Sequence, residues 1–358
     1  MPDAPQWLAL EPLDTLFFRG SEPMLAGEDH EVRSIFPPLP ETCLGALVTA
    51  ILSQRGLEPR DYTLEGGPSR EIKEKFPLLG SPGAPGFRLL GPLLAAGSSF
   101  APPQWLYPAP AHWFADPTEL RHGHIVHINP ADELPAELEA LGLVGSVPSP
   151  VWVRNPSADN LKSLGGLWMT ESVLKNYRDG RLTANFCQDP LIADLSLPWL
   201  MPLEALLVRE VRTGIALDYG RRKVKKGYLF TATQVRLKPQ ISLILGVSPG
   251  LVPDCLDAPA TLSLGGEQRR VYYSLLPAGP SLSQGKSPWI MSLMPFPYAD
   301  LVQYGWDNHP QVSGPFIRVA GWDMQKKFHK PCRAFFPAGT VIRVPLTDQE
   351  TPCGFIRL

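Results

Sequence analysis

Proline sets the first limit on what this chain can become. Its 358 residues include 41 prolines, spread along the whole length rather than gathered in one tract, where about 5% is usual. Each proline removes a backbone donor and fixes φ. A bundle of long helices is therefore excluded, and short strands, edge strands and punctuated turns are expected. The hydrophobic fraction, 44%, still suffices for one large core or two moderate ones, and two domains are expected at this length.

Charge narrows the function classes. Lys and Arg number 33 against 35 Asp and Glu, a net charge of −2, so the whole molecule does not attract a polyanion or a membrane, and any such attraction is local. The five cysteines (Cys43, Cys187, Cys255, Cys332, Cys353) are odd in number and never form CxxC, which suits a reduced cytoplasm. Asp3, Glu11 and Asp14 stand where a signal peptide would need a basic start and a long apolar run, so none is expected. No apolar run approaches the roughly 18 residues of a membrane helix.

Along the chain, Trp7 to Phe18 reads as a first strand ending at Arg19-Gly20, followed by a polar loop from Glu22 to Arg33. Pro37-Pro38-Leu39-Pro40 then leads into Glu41 to Leu52, apolar at helical spacing. From about residue 60 to 200 the pattern weakens and reads as an irregular insertion. Short helices are expected there at Leu134 to Leu143 and Thr170 to Tyr177, and Trp105, Tyr107, Trp113 and Phe114 are expected to cover core. Ala205 to Thr213 and Gly227 to Leu237 read as a hairpin with a charged tip. Strands follow at Gln240 to Val247, Thr261 to Leu264 and Arg270 to Leu276. Gly279 to Gly285 reads as a linker, and Trp289 to Pro297, Phe316 to Trp322 and Thr340 to Leu346 as a small β-rich lobe.

Positive charge gathers in three places. Between Arg209 and Lys238 stand nine cations (Arg209, Arg212, Arg221, Arg222, Lys223, Lys225, Lys226, Arg236, Lys238) against Glu210 and Asp218. Such a hairpin can neutralise several phosphates, with an affinity that falls steeply with salt. Lys326, Lys327, His329, Lys330 and Arg333 form a second cluster. A solvated loop is the alternative for both. Gly265-Gly266-Glu267-Gln268-Arg269-Arg270 joins two permissive glycines to two arginines, the chemistry of an anion-binding turn or of an ordinary glycine turn. Arg19-Gly20 and Arg33 flank the loop after the first strand.

Four segments together resemble a known family. They are Leu10-Glu11-Pro12-Leu13-Asp14-Thr15-Leu16-Phe17-Phe18-Arg19-Gly20 with Pro37-Pro38-Leu39-Pro40-Glu41-Thr42-Cys43-Leu44-Gly45-Ala46-Leu47; Glu210-Val211-Arg212-Thr213-Gly214-Ile215 with Gly227-Tyr228-Leu229-Phe230; Leu264-Gly265-Gly266-Glu267; and Ala320-Gly321-Trp322-Asp323 through Lys330-Pro331 to Pro337-Ala338-Gly339-Thr340-Val341. In this order they resemble the third subunits of the Cmr complex, RAMP-superfamily proteins of type III-B CRISPR interference. The resemblance does not cover residues 60 to 200.

The resemblance implies an α+β protein of two ferredoxin-like, RRM-related RAMP domains, 1–278 with a long irregular insertion at about 60–200, and 286–358. It implies a non-catalytic subunit that binds the 5′ tag of the CRISPR RNA and contacts the large polymerase-palm subunit and a backbone subunit. The RNA-binding residues expected on this basis and on local charge are Arg19, Gly20, His30, Arg33, Arg212, Arg221, Arg222, Lys223, Lys225, Lys226, Gly265, Gly266, Arg269, Arg270, Lys326, Lys327, Lys330 and Arg333. Gln268 stands where the family often has glycine.

Two enzymatic readings compete. A RAMP endoribonuclease that processes precursor RNA would need a titratable group beside the ribose, for which His30 and then His329 are the candidates. A metal-dependent hydrolase would rest on His122, His124 and His127, but in a strand His127 points away from the other two and no Cys or carboxylate completes the set. Gly285-Lys286-Ser287 lacks the first glycine of a P-loop, since residue 280 is proline. No catalytic residue, metal or cofactor is assigned.

Overall fold

A computed structural model describes residues 4–21, 31–64, 67–97, 103–122, 125–134, 150–154, 156–190, 194–218, 220, 223–323, 328–346 and 351–358. The first strand, β1 (Gln6–Pro12), is buried on both faces: Leu8 and Leu10 enter one core while Trp7 and Ala9 enter another. It pairs antiparallel with Ile241–Ser248 on one side and Arg270–Leu276 on the other. The strand is shorter than its sequence suggests. After Pro12 the chain turns out of the sheet, and Leu16 makes a lone bridge to Val235.

After the second strand, β2 (Glu31–Arg33), comes helix α1 (Pro40–Gln54), which starts where the sequence places it, with proline in its first turn, a position that has no hydrogen bond to lose. Cys43, Leu47, Val48, Ala50, Ile51 and Leu52 bury one face against the sheet. The helix ends in a Schellman arrangement. Gly56, at φ 66°, donates to Ser53 O, and Leu57 N donates to Leu52 O at 2.8 Å.

The described residues between 60 and 200 form regular strands and helices rather than the irregular insertion expected. The strands β3 (Arg88–Ala96) and β4 (Gln104–Pro108), then Trp168–Thr170, Trp199–Met201, Thr183–Phe186 and Ile125–His127, continue the central sheet outward from Ile241–Ser248. With Ala260–Ser263 beyond Arg270–Leu276, ten strands form one sheet. The sequence hides β3 for a physical reason. All of its residues after Arg88 are buried, so it has no polar alternation, and Gly91-Pro92 interrupts it. That pair sits where the register with Ile241–Ser248 shifts, the one place where a strand interior tolerates the missing donor. A helix at Glu171–Arg178 matches expectation. The helix expected at 134–143 lies, apart from Leu134, outside the described residues.

The C-terminal part has a four-stranded sheet (Gln311–Val312, Val341–Arg343, Trp289–Ser292, Phe355–Arg357) and a three-stranded one (Phe296–Pro297, Phe328–Phe336, Ile317–Asp323). Trp289, Met291, Val341 and Ile356 share a core with Trp7, Tyr107, Trp113 and Leu174, so strands and helices from between residues 60 and 200 pack directly on this part. The glycine-rich stretch 279–285 is held down: Tyr107 donates to Ser281 O at 2.8 Å and Arg178 to Ser283 Oγ at 2.9 Å. All five cysteines are free thiols. Among the described residues no helix is long and apolar enough to cross a membrane.

Candidate nucleic-acid cleft

The glycine loop lies between Ala260–Ser263 and Arg270–Leu276, where it is laid onto the segment that leaves β1. Gly265 adopts φ 80°, ψ −162°, a region open essentially to glycine alone. A Cβ there would fall 2.5 Å from Phe17 O. Gly266 N donates to that same carbonyl at 2.8 Å. Glu267 and Gln268 follow at φ 59° and 52°, so Gln268 takes the left-handed conformation that glycine adopts more cheaply.

The other side of the Phe17–Arg19 segment is tied to the stretch after β2. Phe18 N donates to Ser34 Oγ, Ile35 N donates to Phe18 O, each at 2.8 Å, and Arg19 bridges to Ser34. Arg19, buried Gly20, Gly265 and Gly266 are thereby gathered at one place, with exposed Arg33 at the end of β2 beside it.

These contacts frame a cleft of about 380 Å³ whose walls include Phe18, Arg19, Ile35, Gly265 and Gly266. Its opposite wall is the face of α1 turned away from the core: Thr42, Gly45, Ala46 and Thr49. All four are small. They recur at i, i+3, i+4 and i+7, a stripe the sequence displays but which the stronger apolar stripe of the same helix masks. No atom lies within 4 Å of a Cβ built on Gly45. The cleft thus has an apolar floor, a cation at its rim, and a wall that lets a flat group approach the helix backbone.

The arginines expected to contact phosphate fall into two groups. Arg212 and Arg269 belong to an ion network that joins β1, the long hairpin and the glycine loop. Asp14 Oδ2 accepts from Arg269 Nη1 at 2.8 Å and Asp14 Oδ1 from Arg236 Nη2 at 2.9 Å, with Arg212 at 3.5 Å. Glu210 pairs with Arg236 and, at 3.2 Å, with Arg212. Glu267 holds Arg269 at 2.6 Å, and Gln234 Oε1 accepts from Arg269 at 3.0 Å. The backbone N–H of Thr15, then the guanidinium of Arg236, hold the Asp14 carboxyl below its ordinary range, and the Arg236 hydrogen bond does the same for Glu210. These arginines join the glycine loop and the long hairpin to the segment after β1. Arg270 is exposed and turned toward Thr261 and Ser263.

In the long hairpin, Leu207–Asp218 pairs with Lys223–Leu237, and β2 adds in parallel at Thr231 to Thr233. Lys223 is exposed, and Lys225 and Lys226 lie in the second strand. Arg221, Arg222 and His30 lie outside the described residues. In the C-terminal hairpin (Ile317–Asp323 with Phe328–Phe336), Val319 reaches the cleft, and its cross-strand partner Arg333 is paired with Glu41 of α1 at 2.9 Å and lies over the Phe335 ring. The hydrogen bond that Arg333 donates to the Glu41 carboxylate raises the Arg333 pKa. Lys330 is exposed; Lys326 and Lys327 lie outside the described residues.

His122 ends a helix, Pro117–His122, and is not in a strand; His127 Nδ1 sits 2.5 Å from Glu119 Oε1. His124 lies outside the described residues, among which no cluster of three or more metal-ligating side chains occurs.

No curated protein matches the sequence. The chain is similar in fold to a subunit in each of two cryo-EM structures, the type III-B Cmr-beta complex bound to cognate target RNA with AMPPnP, and the same complex bound to cognate target RNA. In each case the TM-score is 0.50 and the identity 15%, over 94% of this chain and 86% of the other. Residues 8–302 match the family described as "CRISPR-associated protein (Cas_Cmr3)", a span that holds most of β1 and all of α1, the long hairpin and the glycine loop. The chain belongs to this CRISPR-associated Cas_Cmr3 family.

Proposed function

We propose that this protein is a non-catalytic subunit of a type III-B Cmr effector, the third in the usual order, that holds the 5′ tag of the CRISPR RNA in the cleft between the glycine loop and α1. The observation that carries this reading is the cleft itself. Gly265 and Gly266 are pinned to Phe17, Arg19 stands at the rim, and the small face of α1 leaves room for a base. Phosphate contacts fix register, while pockets that accept unstacked bases supply any preference for sequence. The two lobes descend, on this reading, from ferredoxin-like RAMP units, and the protein works in the cytoplasm.

The neighbours fit the same role. Both similar structures are Cmr-beta complexes bound to target RNA, which supports assembly with other Cmr subunits, here the large polymerase-palm subunit and a backbone subunit. The long hairpin contributes a sequence-independent electrostatic term through Arg221, Arg222, Lys223, Lys225 and Lys226. Changing Arg221, Arg222 and Lys223 to Glu is expected to reduce the slope of log affinity against log salt by at least about 2, since each phosphate contact on a single strand contributes about 0.7. Filter binding across a salt series checks this. An unchanged slope would mean that the hairpin touches only protein.

A further inference from the structure

On the face of the C-terminal hairpin opposite the cleft lie two aromatic rings that the cleft does not use. Tyr298 opens the short helix Tyr298–Gln303, and Phe316 immediately precedes Ile317–Asp323. They are 51% and 55% exposed. Neither is a loose side chain. Phe316 meets the buried Phe336 ring edge-on at 4.8 Å between centroids, Tyr298 lies over the same ring at 6.4 Å, and Phe336 is itself stacked on Phe296 at 5.0 Å. The orientation of both exposed rings is therefore set before any ligand arrives, which lowers the entropic cost of stacking on them.

A cation stands beside them. Arg318 is two residues beyond Phe316, on the same side of the strand by alternation. It is exposed, and opposite it is the small, exposed Ala334. Phe335, Arg333 and Val319 point to the other side, toward α1 and the cleft. The hairpin thus shows the cleft an aliphatic side chain, while its other face, with Phe316 at its start and Tyr298 of the neighbouring helix beside it, shows solvent two braced rings, a small residue and an arginine. Aromatic faces next to cations are the recurring platform for single-stranded nucleic acid, because every base has a face that can stack.

We propose that Tyr298 and Phe316 form a stacking shelf for bases of single-stranded RNA, separate from the cleft, with Arg318 placed to meet the adjoining phosphate. The proposal rests on the reading that this chain holds RNA. An apolar protein surface is the other occupant such a patch could take. It would be satisfied by any bulky apolar side chain, whereas a base requires a ring.

That difference supplies the test. The full chain is titrated with fluorescently labelled single-stranded RNA, comparing wild type with Phe316→Leu plus Tyr298→Leu, and with Phe316→Trp plus Tyr298→Phe. Stacking contributes about 1–3 kcal/mol per base, so the leucine pair is expected to weaken binding about tenfold or more with the salt slope unchanged. The aromatic pair should stay within about twofold of wild type by the same rule. Thermal melts of all three proteins confirm that the fold is intact. Equal affinity of the leucine pair and wild type would overturn the shelf while leaving the cleft reading in place. Absence of RNA binding by the wild-type chain would overturn both, and so would mark a failure of the function itself.

Discussion

Gly265→Val is expected to destabilise the protein by about 1–3 kcal/mol and to remove most of its specific RNA affinity. The backbone at φ 80°, ψ −162° belongs to a region that only glycine enters without strain. A side chain there cannot relax by rotating away, because what it meets, 2.5 Å from the new Cβ, is the backbone carbonyl of Phe17. The loop must lift, and the hydrogen bond from Gly266 N to Phe17 O goes with it. Gly266→Ala is the control. Its Cβ would approach the Phe17 ring at 3.0 Å rather than a backbone carbonyl, and Gly266 has no positive φ to strain, so the loss should be smaller. Thermal denaturation and RNA binding on the two variants check the prediction. Wild-type affinity in Gly265→Val would show that the glycine loop is not part of the site.

The second large effect concerns acid. His112 is fully buried and neither ring nitrogen has a hydrogen-bond partner. Its ring stacks on Trp289 at 5.0 Å, at the junction where the segment after β4 meets the C-terminal strands. Burial pushes its pKa down from 6.5 to about 3, against a weaker pull upward from Asp132. The unfolded chain therefore takes up this proton first. Stability attributable to the neutral ring is intact above pH 6.5 and falls by about 1.4 kcal/mol per pH unit as the pH drops from there toward 3. His112→Leu removes the titrating group, and since the ring nitrogens satisfy no partner, the loss of polarity itself is expected to be near neutral at pH 8. Urea unfolding at several pH values should show a shallower acid limb for the variant. Parallel acid limbs would contradict the assignment, because Asp14 and Glu210, also destabilised by acid, are common to both proteins.

What the sequence shows and what it hides divides along physical lines. The opening strand, α1, the long hairpin and the strand after the glycine loop are legible because each has a local signature: a helical apolar stripe with proline at its start, or two β-rich runs around a charged turn. The outer half of the central sheet is not. β3 is buried on both faces and broken by Gly91-Pro92, so it offers neither alternation nor continuity, and the strands beyond it are only three to five residues long.

The site divides in the same way. Gly265, Gly266 and Arg19 come together as their types suggest. Arg212 and Arg269 look like phosphate ligands in sequence, yet each is held by carboxylates: by one two residues away, Glu210 and Glu267 respectively, and by Asp14, which is too far from both in the chain for any spacing rule to connect. Arg333 is likewise taken up by Glu41. A count of cations therefore overstates the charge offered to a ligand, and the small-residue stripe at Thr42, Gly45, Ala46 and Thr49 was the better pointer to the cleft.

On the proposed function, this chain reads the CRISPR RNA tag rather than binding any polyanion. The most direct measurement is the affinity of the wild-type chain for single-stranded RNA with its 5′ tag and for RNA of equal length without it, at one physiological salt concentration. A ratio of about ten or more, corresponding to about 1.4 kcal/mol of discrimination, is the predicted result, with the ratio collapsing in Gly265→Val while salt-dependent residual binding persists. Equal affinity for the two RNAs would contradict it and leave a generic electrostatic contact in its place.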